Sequence, residues 1–166
     1  MSIPYHLAAG KDQALWHMGA LLKFKLTGKE TGGQFWLAEQ TSDQGYASPL
    51  HRHTREDETF VVLDGELRVQ VGDEVFEAEP GSVTFAPREL AHTFQVVSPS
   101  ARFLILTTPA GFEQWFFETG GPAQSLTVPP PVTEVPDIGR LIGSLAAHGV
   151  DLVGPPPGMG APPLGG

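Results

Sequence analysis

Along most of the first two thirds of the chain, apolar and polar residues alternate with period two. Glu66-Leu67-Arg68-Val69-Gln70-Val71 does so strictly, as a strand with one buried face must. Leu22-Lys23-Phe24-Lys25-Leu26 alternates as cleanly, within an Ala14–Thr27 stretch that reads as a single strand. Gln34–Thr41 predicts the next strand, with Phe35 and Leu37 on one face and Trp36 on the other. Glu58–Leu63, Glu74–Ala78, Ser82–Ala86, Ala91–Val97 and Arg102–Thr108 follow, and Gly28–Gly33, Ser42–Gly45, Gly72-Asp73, Pro80-Gly81 and Ser98-Pro99-Ser100 break the runs. Asp64-Gly65 predicts a hairpin turn, because both residues tolerate positive φ. Short strands punctuated roughly every eight to twelve residues predict an all-β sandwich or barrel.

The pattern changes after Pro109. Phe112, Trp115 and Phe116 recur at helical spacing and predict a short helix near residues 111–118. Gly120–Pro136 is proline-rich and reads as extended, after which Asp137 caps a helix with apolar Ile138, Leu141, Ile142 and Leu145 and with Gly149 as its stop. Residues 1–150 therefore read as one domain, an arm at 1–13 leading into a barrel over about 15–110 and a helical extension over 111–150. The Pro- and Gly-rich stretch 151–166 reads as a disordered tail.

Composition narrows the partners. A length of 166 residues with 40% hydrophobic content suits one globular domain with a real core. A net charge of −9 without any basic run argues against nucleic acid and against an anionic membrane surface. No apolar run approaches a membrane span and no charged segment leads into an apolar one at the start, so a soluble cytoplasmic protein is the expectation. With no cysteine, any metal must be held by nitrogen and oxygen.

The candidate chemistry begins at His51-Arg52-His53. Two histidines one residue apart share a face of a strand. Glu58 lies an odd step beyond His53, so the polar stretch Thr54–Asp57 must break the strand for Glu58 to join them. His92 stands on a later strand. Isolated His6, His17 and His148 repeat no ligand spacing and read as surface or partly buried residues. Trp16 and Trp36 read as core or interface aromatics, and Arg55, Glu56 and Asp57 as a solvated loop. Three neutral imidazoles and a carboxylate suit one divalent transition metal, whether Fe, Mn, Ni, Co, Cu or Zn. Strand parity puts Phe60, Val62, Phe94 and Val96 on the ligand face, and with Phe35 and Leu37 they form the expected pocket. No cluster of Lys or Arg accompanies them, which favours an apolar, aromatic small molecule over a sugar phosphate. Val61 and Leu63 face the other way, and that second apolar face predicts a homodimer.

The spacing Gly45-x5-His51-x-His53-x4-Glu58-x6-Gly65 resembles the first motif of the cupin superfamily without a gap. Gly81, Pro87 and His92 resemble the second, with Glu89 where glycine is usual and Val96 where asparagine is usual. The resemblance implies a double-stranded β-helix, the cupin jelly-roll barrel, with His51, His53, Glu58 and His92 as metal ligands. Thr31-Gly32-Gly33, Arg55-Glu56-Asp57-Glu58 and the Gly111–Glu118 segment resemble the small quercetin 2,3-dioxygenase-like cupins. That implies a dioxygenase of flavonol-like or other aromatic enols, with Glu58 both ligand and catalytic proton acceptor. A non-oxidative cyclase or isomerase, or a small-molecule-binding module, uses the same ligand set.

Overall fold

The computed structural model describes residues 3–131, 133 and 137–157. Its strands are β1 (Gln13–His17), β2 (Ala20–Leu26), β3 (Trp36–Asp43), β4 (Leu50–His53), β5 (Asp57–Asp64), β6 (Leu67–Val71), β7 (Glu74–Ala78), β8 (Val83–Ala86), β9 (His92–Val96), β10 (Ser100–Thr108), β11 (Gly121–Pro122) and β12 (Val150–Gly154). The helices are α1 (Gly28–Thr31), α2 (Glu113–Thr119) and α3 (Ile138–Ala147). The strands form two antiparallel sheets, one in the order β11-β1-β2-β3-β10-β5-β8 and the other β12-β4-β9-β6-β7. Inward residues of both sheets meet in one core, with Trp36, Phe60, Val62 and Phe103 from the first and Leu67, Val69, Phe94 and Val96 from the second. This is the jelly-roll barrel that the motif resemblance implied, within the sandwich-or-barrel class that the alternation predicted.

Several local readings change. Ala14–Thr27 is a hairpin, because Met18 (φ 48°) and Gly19 (φ 88°) both take positive φ, the backbone of a tight two-residue turn. Gly28–Gly33 holds one helical turn, α1, capped reciprocally by Thr27 and Glu30. Asp64-Gly65 does not close a hairpin: β5 pairs with β10 and β8, whereas β6 lies in the other sheet. The turn instead carries the chain across the barrel. Gly65 takes φ 75° there, and a Cβ would press on Ser100 O and on Ala101 Cα at 2.7 Å. Only glycine fits that corner.

The segment expected to begin a disordered tail is partly structured, since Asp151–Gly154 belong to β12 and pair with β4. Residues 158–166 of that expected tail lie outside the described residues. Asp137 caps α3 through its carboxylate, as its position implied.

Candidate metal centre

The sheet register assembles the site. His51 and His53 occupy alternate positions of β4, and His51 pairs directly with His92 of β9, so three imidazoles stand together on one inner face. Thr54–Glu56 then carries the chain to the opposite sheet, where Glu58 of β5 points back across the barrel. The odd step between His53 and Glu58 is thus resolved by a change of sheet. Glu58 Oε2 lies 2.8 Å from His92 Nε2, 3.6 Å from His53 Nε2 and 3.9 Å from His51 Nε2. One ligand atom from each of the four residues falls within 4.8 Å of all the others.

The outer nitrogens fix what the inner ones can do. His51 Nδ1 faces Pro49 O at 2.8 Å, His92 Nδ1 faces Leu90 O at 3.1 Å, and His53 Nδ1 faces the Glu56 carboxylate at 3.3 Å. Each partner can only accept, so each Nδ1 donates and each Nε2 is presented to the centre. Burial pushes the His51 imidazole below its ordinary pKa. For His92 the same burial is outweighed by the Glu58 carboxylate, which raises it. Burial alone would raise Glu58, but the imidazoles of His51, His92 and His53 hold it well below the usual carboxylate range.

The donor set fits a divalent cation. His53 Nε2 is buried and has no hydrogen-bond partner among the described residues, although it faces Glu58. An ion between these groups would satisfy that orphan and replace the proton that His92 and Glu58 share. His51, His53, Glu58 and His92 are the residues that could hold it.

A cavity opens onto His51 and Glu58. Its walls include Phe94, Phe112, Trp115, Phe116, Leu141, Leu145 and Leu152, with His17, Gln40 and Tyr46 as polar neighbours. Of the pocket residues expected from the sequence, only Phe94 lines it. Phe60, Val62 and Val96 point inward as parity required but are packed in the core. Phe35 and Leu37 are on the wrong face, because β3 turns Trp36 (0% exposed) and Ala38 into the barrel. The sequence showed the Phe112–Phe116 stripe as a helix face but carried no sign that it would roof the site. Trp115 Nε1 donates to Ser144 Oγ at 2.6 Å, which fastens α2 to α3 above the cavity.

His17 is buried, and lack of solvent pushes its pKa down to about 4. Glu56 is likewise buried, so the solvated-loop reading of Arg55, Glu56 and Asp57 holds for Arg55 alone; Asp57 is half-buried and paired with Arg88. His6 is exposed, and His148 meets Glu118 at 2.8 Å. No helix among the described residues is long and apolar enough to cross a membrane.

Residues 38–107 match the family model described as "Cupin domain". The matched residues run from β3 to β10 of the two-sheet barrel, so this part of the chain resembles a cupin domain and the barrel has the cupin fold. It is 24% identical over 128 residues to quercetin 2,3-dioxygenase of Bacillus subtilis, covering 77% of this chain and 38% of that protein. It is 28% identical over 130 residues to quercetin 2,3-dioxygenase of Aspergillus japonicus, covering 74% and 37%. The chain thus spans under two fifths of the length of these curated relatives. A solved RmlC-like cupin from Shewanella frigidimarina shares the fold with TM-score 0.57 at 17% identity, over 69% of this chain and 99% of that one.

Proposed function

We propose that the protein is a metal-dependent dioxygenase acting on a flavonol-like or other aromatic enol, with dioxygen as co-substrate. The observation that carries this reading is the aromatic cavity into which His51 and Glu58 open. The described lining residues include no Lys or Arg to hold a phosphate or carboxylate, whereas Phe94, Phe112, Trp115 and Phe116 offer ring contacts to an aromatic substrate. The similarity to two quercetin 2,3-dioxygenases supports oxidation as the reaction. The cavity measures about 100 Å³. That is below the roughly 150 Å³ of an enclosed cavity that takes up a single benzene ring, so a one-ring enol suits it better than a three-ring flavonol.

A divalent ion in the site would supply Lewis acidity toward the enol oxygen and, if redox-active, an electron path to dioxygen. Glu58 accepts the enol proton, leaving the substrate as an enolate whose electron pair is open to dioxygen, and both oxygen atoms enter the product. Glu58 then returns the proton to a product oxygen. A carboxylate held below its usual range is a weak base, so its partner must be an acidified enol. The walls around that exchange are mostly apolar.

The test is oxygen uptake and product formation by metal-loaded protein across one-ring enols and flavonols. Glu58→Gln, loaded with metal to the same level, should bind substrate yet turn it over roughly 10²–10⁴-fold more slowly. Full activity in that variant would remove Glu58 as the base. Product formed without oxygen uptake would replace the dioxygenase with a non-oxidative cupin enzyme.

A further inference from the structure

We infer that Glu56 is a positioning residue for the metal centre: it locks His53 in the metal-accepting tautomer and brings the charge of the occupied site to zero. The inference rests on the metal reading of His51, His53, Glu58 and His92 given above.

Glu56 sits in the charged run Arg55–Glu58, yet it is only 4% exposed. Burying a carboxylate is costly unless something compensates it. Its partner is the buried imidazole of His53, whose Nδ1 lies 3.3 Å from Glu56 Oε2. His51 and His92 rest their outer nitrogens on backbone carbonyls, but His53 rests its own on this carboxylate. Without Glu56 nothing obliges His53 to keep its proton on Nδ1. The other tautomer would turn an Nε2–H toward Glu58, now 3.6 Å away, and present a donor where a metal needs a lone pair.

The charges point the same way. Three neutral imidazoles contribute nothing, while Glu58 and Glu56 each contribute −1, which balances a divalent ion. A trivalent ion would leave one positive charge uncompensated. Arg88 is close enough to feel Glu56, but it is exposed and already holds Asp57 through Nε at 3.1 Å and Nη2 at 2.9 Å.

The loop itself is pinned, so Glu56 is not free to swing outward. Arg88 N donates to Asp57 Oδ1 at 2.8 Å, Thr54 donates to Gly149 O through both N and Oγ1 at 2.8 Å, and Glu89 N donates to His53 O at 2.7 Å.

The test measures Zn²⁺ affinity by chelator competition for wild type, Glu56→Gln, Glu56→Ala and His51→Ala, with imidazole tautomers read by ¹⁵N NMR on metal-free protein. Both Glu56 variants should weaken Zn²⁺ by roughly 10–100-fold, the range typical of lost outer partners of metal-bound histidines. Glu56→Gln keeps an acceptor oxygen and should retain the Nδ1–H form of His53, whereas Glu56→Ala should shift it toward Nε2–H. Wild-type Zn²⁺ affinity in either variant would overturn the inference while leaving the metal reading intact. Wild-type protein that binds Zn²⁺ no better than His51→Ala would sink the metal reading, and the inference with it.

Discussion

His17 makes the stability of this fold depend on pH between about 4 and 6.5. The imidazole is 4% exposed, edge-on to Trp115 at 4.6 Å and to Phe116 at 5.1 Å between ring centroids. Its one polar contact among the described residues is Nε2 to Thr119 Oγ1 at 2.9 Å. Thr119 gives its own hydroxyl hydrogen to Trp115 O, so Oγ1 accepts and His17 is the neutral Nε2–H tautomer. Protonation would put a charge on Nδ1 among aromatic rings, which is why its pKa falls to about 4 from the reference 6.5. Between those two values the unfolded chain binds a proton and the folded chain does not. Stability is therefore intact above pH 6.5, is lost as pH falls toward 4, and changes no further through this group below that. A gap of about 2.5 units at 1.36 kcal/mol each gives a loss of roughly 3 kcal/mol. At a few degrees per kcal/mol for a domain of this size, that is a melting-point drop of roughly 7–14 °C. The assay is urea unfolding of metal-free wild type and His17→Gln at intervals from pH 7 to pH 4. Acid effects on the carboxylates are common to both and cancel in the difference. The wild type should lose roughly 3 kcal/mol more than the variant, most of it between pH 6.5 and 4.5. Parallel curves would refute the reasoning, because a His17 with an ordinary pKa contributes no slope.

Two further outcomes follow from the fold. Gly65→Ala should destabilise by at least about 2 kcal/mol in the urea midpoint, combining the cost of positive φ with the contact on Ser100 and Ala101. The outer face of β5 and β8, where Val61 and Leu63 are half-buried and Val83 and Phe85 are 64% and 57% exposed, is proposed to be covered by a second copy. Light scattering at micromolar concentration should give twice the chain mass, and Phe85→Asp should return it to a monomer.

The strands, the barrel and the four candidate ligands were legible because each is encoded locally. Alternation over Leu67–Val71 fixes an inner face, and the motif spacing fixes which side chains share it. The pocket was not legible, and the reason is geometric. Parity says whether Phe60 or Val96 points inward, but not how far along the barrel it sits, and both lie in the packed core away from the opening. The walls come instead from α2, α3 and β12, brought there by long-range packing. Phe35 and Leu37 failed for a related reason: β3 is apolar on both faces, so its pattern left the choice of inner face open. Glu56 failed because a carboxylate in a run of charges carries no local mark of burial. Glu89 shows the converse. It stands where the cupin motif has glycine, yet it adopts a positive φ of 67°, the backbone that glycine favours.

The C-terminal segment touches both the cavity and the loop that carries Glu56. Leu141 and Leu145 of α3 and Leu152 of β12 roof the cavity, while Gly149, at the corner between the two elements, accepts both hydrogen bonds from Thr54. Gly149 takes φ 78°, and a Cβ there would meet Arg55 Nε at 2.7 Å, so the corner packs tightly on the loop that carries Glu56. β12 then runs along β4, pairing Val150 with His53 and Leu152 with His51. One stretch of chain thus roofs the cavity, braces the strand that presents two imidazoles and holds the loop that carries Glu56. A ligand large enough to lift that roof would also disturb the pairing of β12 with β4 that supports His53.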